Sequence, residues 1–135
     1  MPVEDLKADP MMAHLVSSIE RGEDVGHYGR LVFVMVGRHF MEQDELLEYL
    51  LKTPGTEEAQ AKSLIAQVEA RGYNPPKRER ILEWMGRQEF PICESPEQPD
   101  QCNVYKNLTF PKQIYERIEE FYANKAEASG VGDSR

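Results

Sequence analysis

The feature that most restricts the fold of this 135-residue chain is the recurrence of apolar residues at three- and four-residue spacing, in short blocks closed by glycine or proline. Asp9-Pro10 supplies an N-cap and a proline for the first helical position, and Met12, Leu15, Val16 and Ile19 follow before Gly22. Leu46, Leu47, Leu50 and Leu51 form a second face, ended by Thr53-Pro54-Gly55. Thr56 can cap a third helix, with Glu57 and Glu58 complementing its positive end and Ala61, Leu64, Ile65 and Val68 as its buried stripe before Gly72. Beyond Pro75-Pro76, Ile81, Leu82, Trp84 and Met85 mark another helix. After Pro111, the residues Ile114, Tyr115, Ile118, Phe121 and Tyr122 mark the last one.

The run Leu31 to Val36 is continuous and partly β-branched, so its period does not separate a buried helix from a buried strand. A lone strand among helices would have nothing to pair with, and the run is read as helix. The expectation is an all-α fold: a compact bundle of about six helices with a proline- and cysteine-rich loop before the last. That loop spans residues 90 to 109, with Pro91, Pro96 and Pro99 and no regular period. Residues 1–8 read as an N-terminal extension, 9–122 as one helical domain and 123–135 as a frayed tail.

Charge narrows the function. With 24 acidic and 16 basic residues the net charge is −8, which excludes a generic cationic coat for nucleic acid. Between Arg71 and Arg87, however, Arg71, Lys77, Arg78, Arg80 and Arg87 face only Glu79 and Glu83, so one positive face can survive. The N-terminal residues lack the pattern of a secretory signal and no apolar run has membrane-spanning length, so the sequence reads as cytoplasmic, with no membrane contact.

Two segments and one residue pair invite a functional reading. Gly26-His27-Tyr28-Gly29-Arg30 opens the apolar helix, where free amides, His27 and Arg30 can hold a phosphate. The plainer alternative is a turn in which Arg30 pairs with Glu23 or Asp24. Tyr73-Asn74-Pro75-Pro76-Lys77-Arg78-Glu79-Arg80 sets an aromatic ring beside three cations, suited to stacking a base and holding phosphates, or else to a solvated helix start. Cys93 and Cys102 can be free thiols, a disulfide, or two ligands of an iron–sulfur cluster or zinc whose remaining ligands the chain does not supply; no cofactor is required. No catalytic motif is present, which reads as a protein that is not an enzyme.

Taken in order, Pro10-Met11-Met12, His27-Tyr28-Gly29-Arg30, Asp44-Glu45-Leu46-Leu47, Tyr73-Asn74 and Pro91-Ile92-Cys93 followed by Cys102 resemble motifs of one family. That family is the C-terminal iron–sulfur domain of the archaeal and eukaryotic DNA primase large subunit, across roughly residues 8 to 108. The resemblance implies that His27 and Arg30 hold the 5′ phosphate of a primer. It further implies that Tyr73, Lys77, Arg78 and Arg80 extend the nucleic-acid surface toward primer–template or single strand, in support of a catalytic primase or polymerase. The family uses four cysteines and this chain has two, with methionine near the first expected position. The alternative reading is a helical protein-interaction or regulatory module, and a third is a redox or metal sensor built on Cys93 and Cys102.

Overall fold

The computed structural model describes residues 2–98 and 100–117. Their order is α1 (Pro2–Leu6), α2 (Pro10–Glu20), α3 (Gly26–Gly37), α4 (Gln43–Leu50), α5 (Glu58–Arg71), α6 (Arg78–Met85) and α7 (Val104–Asn107). A helical stretch over residues 112–117, here α8, follows. No strand occurs among the described residues, so the all-α expectation holds, with eight helical segments rather than about six. The two unforeseen helices, α1 and α7, span five and four residues, too short to show a period. Ile118, Phe121, Tyr122 and the tail 123–135 lie outside the described residues.

The ambiguous apolar run is helical because it is the centre of the fold. α3 packs against α2, α4 and α5, and α4 also meets α2 and α5. Val32, Phe33, Val34 and Val36 have no solvent exposure, so three successive helix faces are covered by neighbours and no amphipathic period is needed. Phe33 stacks on Tyr49 of α4 at 5.7 Å between ring centroids. α1 lies within the stretch read as an extension, and its Leu6 is fully buried.

Helix starts follow local chemistry. Asp9 is the N-cap of α2: its carboxylate accepts from the Met12 amide at 2.9 Å and from Asn107 Nδ2 of α7 at 3.1 Å. Burial pushes its carboxyl above the usual range, against the lowering effect of these two bonds. α5 begins one residue later than Thr56 suggests. Glu57 is its N-cap, its amide donating to Gln60 Oε1 at 3.1 Å, while Thr56 meets the buried Thr53 hydroxyl at 2.6 Å.

Candidate functional site

A groove of about 560 Å³ runs between the first half of α3 and α5. His27 and Arg30 form one wall; Thr56, Gln60, Ser63 and Gln67 offer hydroxyl and amide groups opposite; Ala59 and Leu64 give it apolar surface over the buried Leu50 and Ala61. α5 presents both kinds of residue because positions 60, 63 and 67 recur at helical spacing beside its buried stripe of Ala61, Ile65 and Val68, with Thr56 just ahead of its N-cap. Leu64, read from sequence as core, is only half-buried and lines the groove. Among the described residues, no acidic side chain lines it.

The entrance of α3 is fixed from two sides. The Gly26 amide donates to Asp24 Oδ1 at 3.0 Å and the Tyr28 amide to Gln88 Oε1 at 2.9 Å. Two of the amides that could have faced a phosphate therefore already have acceptors within the chain. Gln88 Nε2 also donates to Val25 O at 2.9 Å and Phe90 O at 3.3 Å. Gly26 has φ +78°, and a Cβ there would meet the Gln88 amide at 2.5 Å, so only glycine lets this clamp close. Tyr28 turns away from the groove and stacks on Trp84 of α6, centroids 5.4 Å apart. Gln88 was invisible to sequence reasoning, since a lone glutamine after a helix carries no pattern.

Arg30 Nη1 lies 3.6 Å from Asp24 Oδ1; the arginine side chain is 23% exposed and the aspartate 69%. The ion-pair alternative thus has a geometric basis, but the pair is long and its acid is largely in water.

The second segment lies elsewhere. None of Tyr73, Lys77, Arg78 and Arg80 lines the groove with His27 and Arg30. Tyr73 is half-buried against the core, and its carbonyl accepts from Arg38 Nη2 at 3.1 Å. Lys77 is the N-cap residue of α6. Arg78 donates to Pro96 O at 2.6 Å. Arg80 is 3.6 Å from Glu83 and 5.8 Å over the Trp84 ring. The interleaved cations and aromatic rings are used within the protein, as helix-surface pairs and loop anchors.

A second, more open recess of about 730 Å³ lies where α3 ends and α4 begins, lined by Arg38 to Asp44 and Glu69. It mixes one arginine with Glu42, Asp44 and Glu69. Nearby, the Arg117 guanidinium donates to Gly72 O at 3.2 Å, so Arg38 and Arg117 together satisfy carbonyls just beyond α5. His39 beside them is pushed down to about 4 by burial first, then by the charges of Arg38 and Arg117.

The cysteines do not form a metal centre. Cys93 and Cys102 are joined in a disulfide, which leaves no thiolate to ligate a metal. Among the described residues no group of three or more His, Cys, Asp or Glu could hold a metal ion. No protein-family model, no curated protein and no solved structure matches the chain. The likeness to the primase large subunit, and with it the iron–sulfur assignment and the metal role of Cys93 and Cys102, is therefore withdrawn. Its short motifs have other physical origins here: Pro10 at a helix start, Gly26 to Arg30 at a clamped helix entrance, and a disulfide after Pro91. Among the described residues no helix is long and apolar enough to cross a membrane.

Proposed function

We propose that the chain is a non-catalytic helical binding module of the cytoplasm that receives an acidic, partly apolar segment of a partner protein in the α3–α5 groove. One observation carries this: on a protein of net charge −8, the described residues of the groove wall include Arg30 and His27 and no acid. A partner carboxylate would take over Arg30 from Asp24, an exchange made easy by the length of that pair and the exposure of its acid. Ser63, Gln60 and Gln67 of α5, with Thr56 just ahead of it, suit a peptide backbone, and Ala59 and Leu64 suit an apolar anchor beside it.

Selection of a displayed random peptide library on the purified protein tests this. Enriched peptides should carry Asp or Glu beside an apolar residue, and Arg30→Gln should weaken their binding about ten-fold in fluorescence anisotropy, with a marked salt dependence. The reading fails if no peptide is enriched, if enriched peptides lack acidic residues, or if Arg30→Gln binds them unchanged. It fails equally if a single-stranded oligonucleotide binds more tightly than any selected peptide.

A further inference from the structure

The disulfide is not isolated from the groove. Cys93 and Cys102, 1% and 2% exposed, close a segment that contains neither helix nor strand among its described residues. The residues beside Cys93 grip α2: His14 Nε2 lies 2.8 Å from Pro91 O, its Nδ1 lies 3.4 Å from the Glu94 carboxylate, and its ring stacks on Phe90 at 5.3 Å. Phe90 O in turn accepts from Gln88, whose amide holds the Tyr28 N–H and Val25 O. One short stretch, 88 to 94, thus runs from the disulfide to the first turn of α3, which carries His27 and leads to Arg30.

We propose that the Cys93–Cys102 disulfide is a redox-sensitive clasp that holds the first turn of α3, so that its reduction loosens the His27 and Arg30 wall while the α2–α5 core stays folded. Its consequence for binding rests on the groove reading above; its conformational content does not. Cys102 has φ +67°, a backbone region that side-chain-bearing residues seldom adopt, so cutting the bond frees the residue to leave it. The helices α2, α3, α4 and α5 pack directly on one another, while the loop adds Ile92 and the two cysteines to the same core, so the clasp predicts loosening at the α3 entrance first and leaves the direct helix contacts in place.

The chemistry is thiol–disulfide exchange with a low-molecular-weight thiol. Its thiolate attacks one sulfur, the Cys93–Cys102 bond breaks, and the released thiolate takes a proton. A second thiol then resolves the mixed disulfide, so the protein gains two electrons and two protons and the small thiol leaves as its disulfide. Both sulfurs are buried, so attack waits on opening of the loop. In a reducing cytoplasm a disulfide is of this responsive kind rather than a permanent staple.

Hydrogen exchange on the full chain, oxidised and after dithiothreitol, tests the proposal, with Cys93→Ser/Cys102→Ser as the permanently open form. Reduction and the double variant should both speed exchange of the Tyr28 amide by about ten-fold or more and leave α4 and α5 unchanged. Unchanged Tyr28 exchange, faster exchange throughout the chain, or cysteines that never react with dithiothreitol in the folded protein would each overturn it. Peptides selected on the oxidised protein should bind the reduced form more weakly. Equal binding alongside the expected exchange pattern would uphold the clasp and remove the groove, not the loop, from consideration as the binding surface.

Discussion

α3 carries an arginine near each end, and the two side chains have opposite fates. Arg30 stands at the entrance beside a groove with no acid among its described residues, its guanidinium near a water-exposed aspartate. Arg38 stands just past the exit, donates to Tyr73 O, and has a buried Nε with no partner among the described residues. Burial, and then the charge of Arg117, lower the Arg38 pKa. The same residue type keeps a long pair to an exposed acid at one end, where we propose that it recognises a partner, and holds a backbone turn at the other. What separates them is desolvation: a cation kept near water can change partners cheaply, whereas one drawn inside cannot be released without leaving its acceptors unsatisfied.

That contrast breaks first at Arg38. Arg38→Ala should lower the unfolding free energy by about 2–3 kcal/mol, read from the urea midpoint, because it strips a charged donor from the Tyr73 carbonyl. A loss no larger than at Arg30 would erase the distinction. The next effect is one of pH. His39 titrates near 6.5 when unfolded and about 4 when folded, so below 6.5 the unfolded chain takes up a proton that the folded one refuses. Stability from this group is complete above pH 6.5 and declines as pH falls toward about 4, by roughly 1–2 kcal/mol once the ring's partial contact with water is allowed for. His39→Phe should flatten that part of the profile; an unchanged slope would place the titration elsewhere. The smallest effect belongs to Arg30→Gln, which should change stability by under about 0.5 kcal/mol while weakening peptide binding about ten-fold. A large stability loss there would mean that Arg30 is structural too.

Much of the helical plan was legible because it is local. Proline at a helix start, aspartate as a cap and glycine after α5 act within a turn, and the structure has Pro10, Asp9 and Gly72 in those places. Gly72, with φ +60°, is the left-handed cap its residue type suggests. The site was less legible. His27 and Arg30 were visible as residues, but the wall they face comes from α5, some thirty positions away, and Gln88 reaches Tyr28 across 60 positions. The cysteine pair kept three meanings in the sequence; proximity in the fold selected the disulfide. The basic run from Arg71 to Arg87 showed charge but not its partners, Pro96 O and Glu83 among them.

Sequence alone determined the helical class, the main breaks between helices and the acidic surface, since each follows from forces acting between neighbours along the chain. Tertiary structure decided which cations remain near water, which amides at the start of α3 are already taken, and where a groove opens. Those outcomes depend on burial and on partners supplied by distant segments, and the cost of removing a polar group from water is fixed only once its surroundings are assembled.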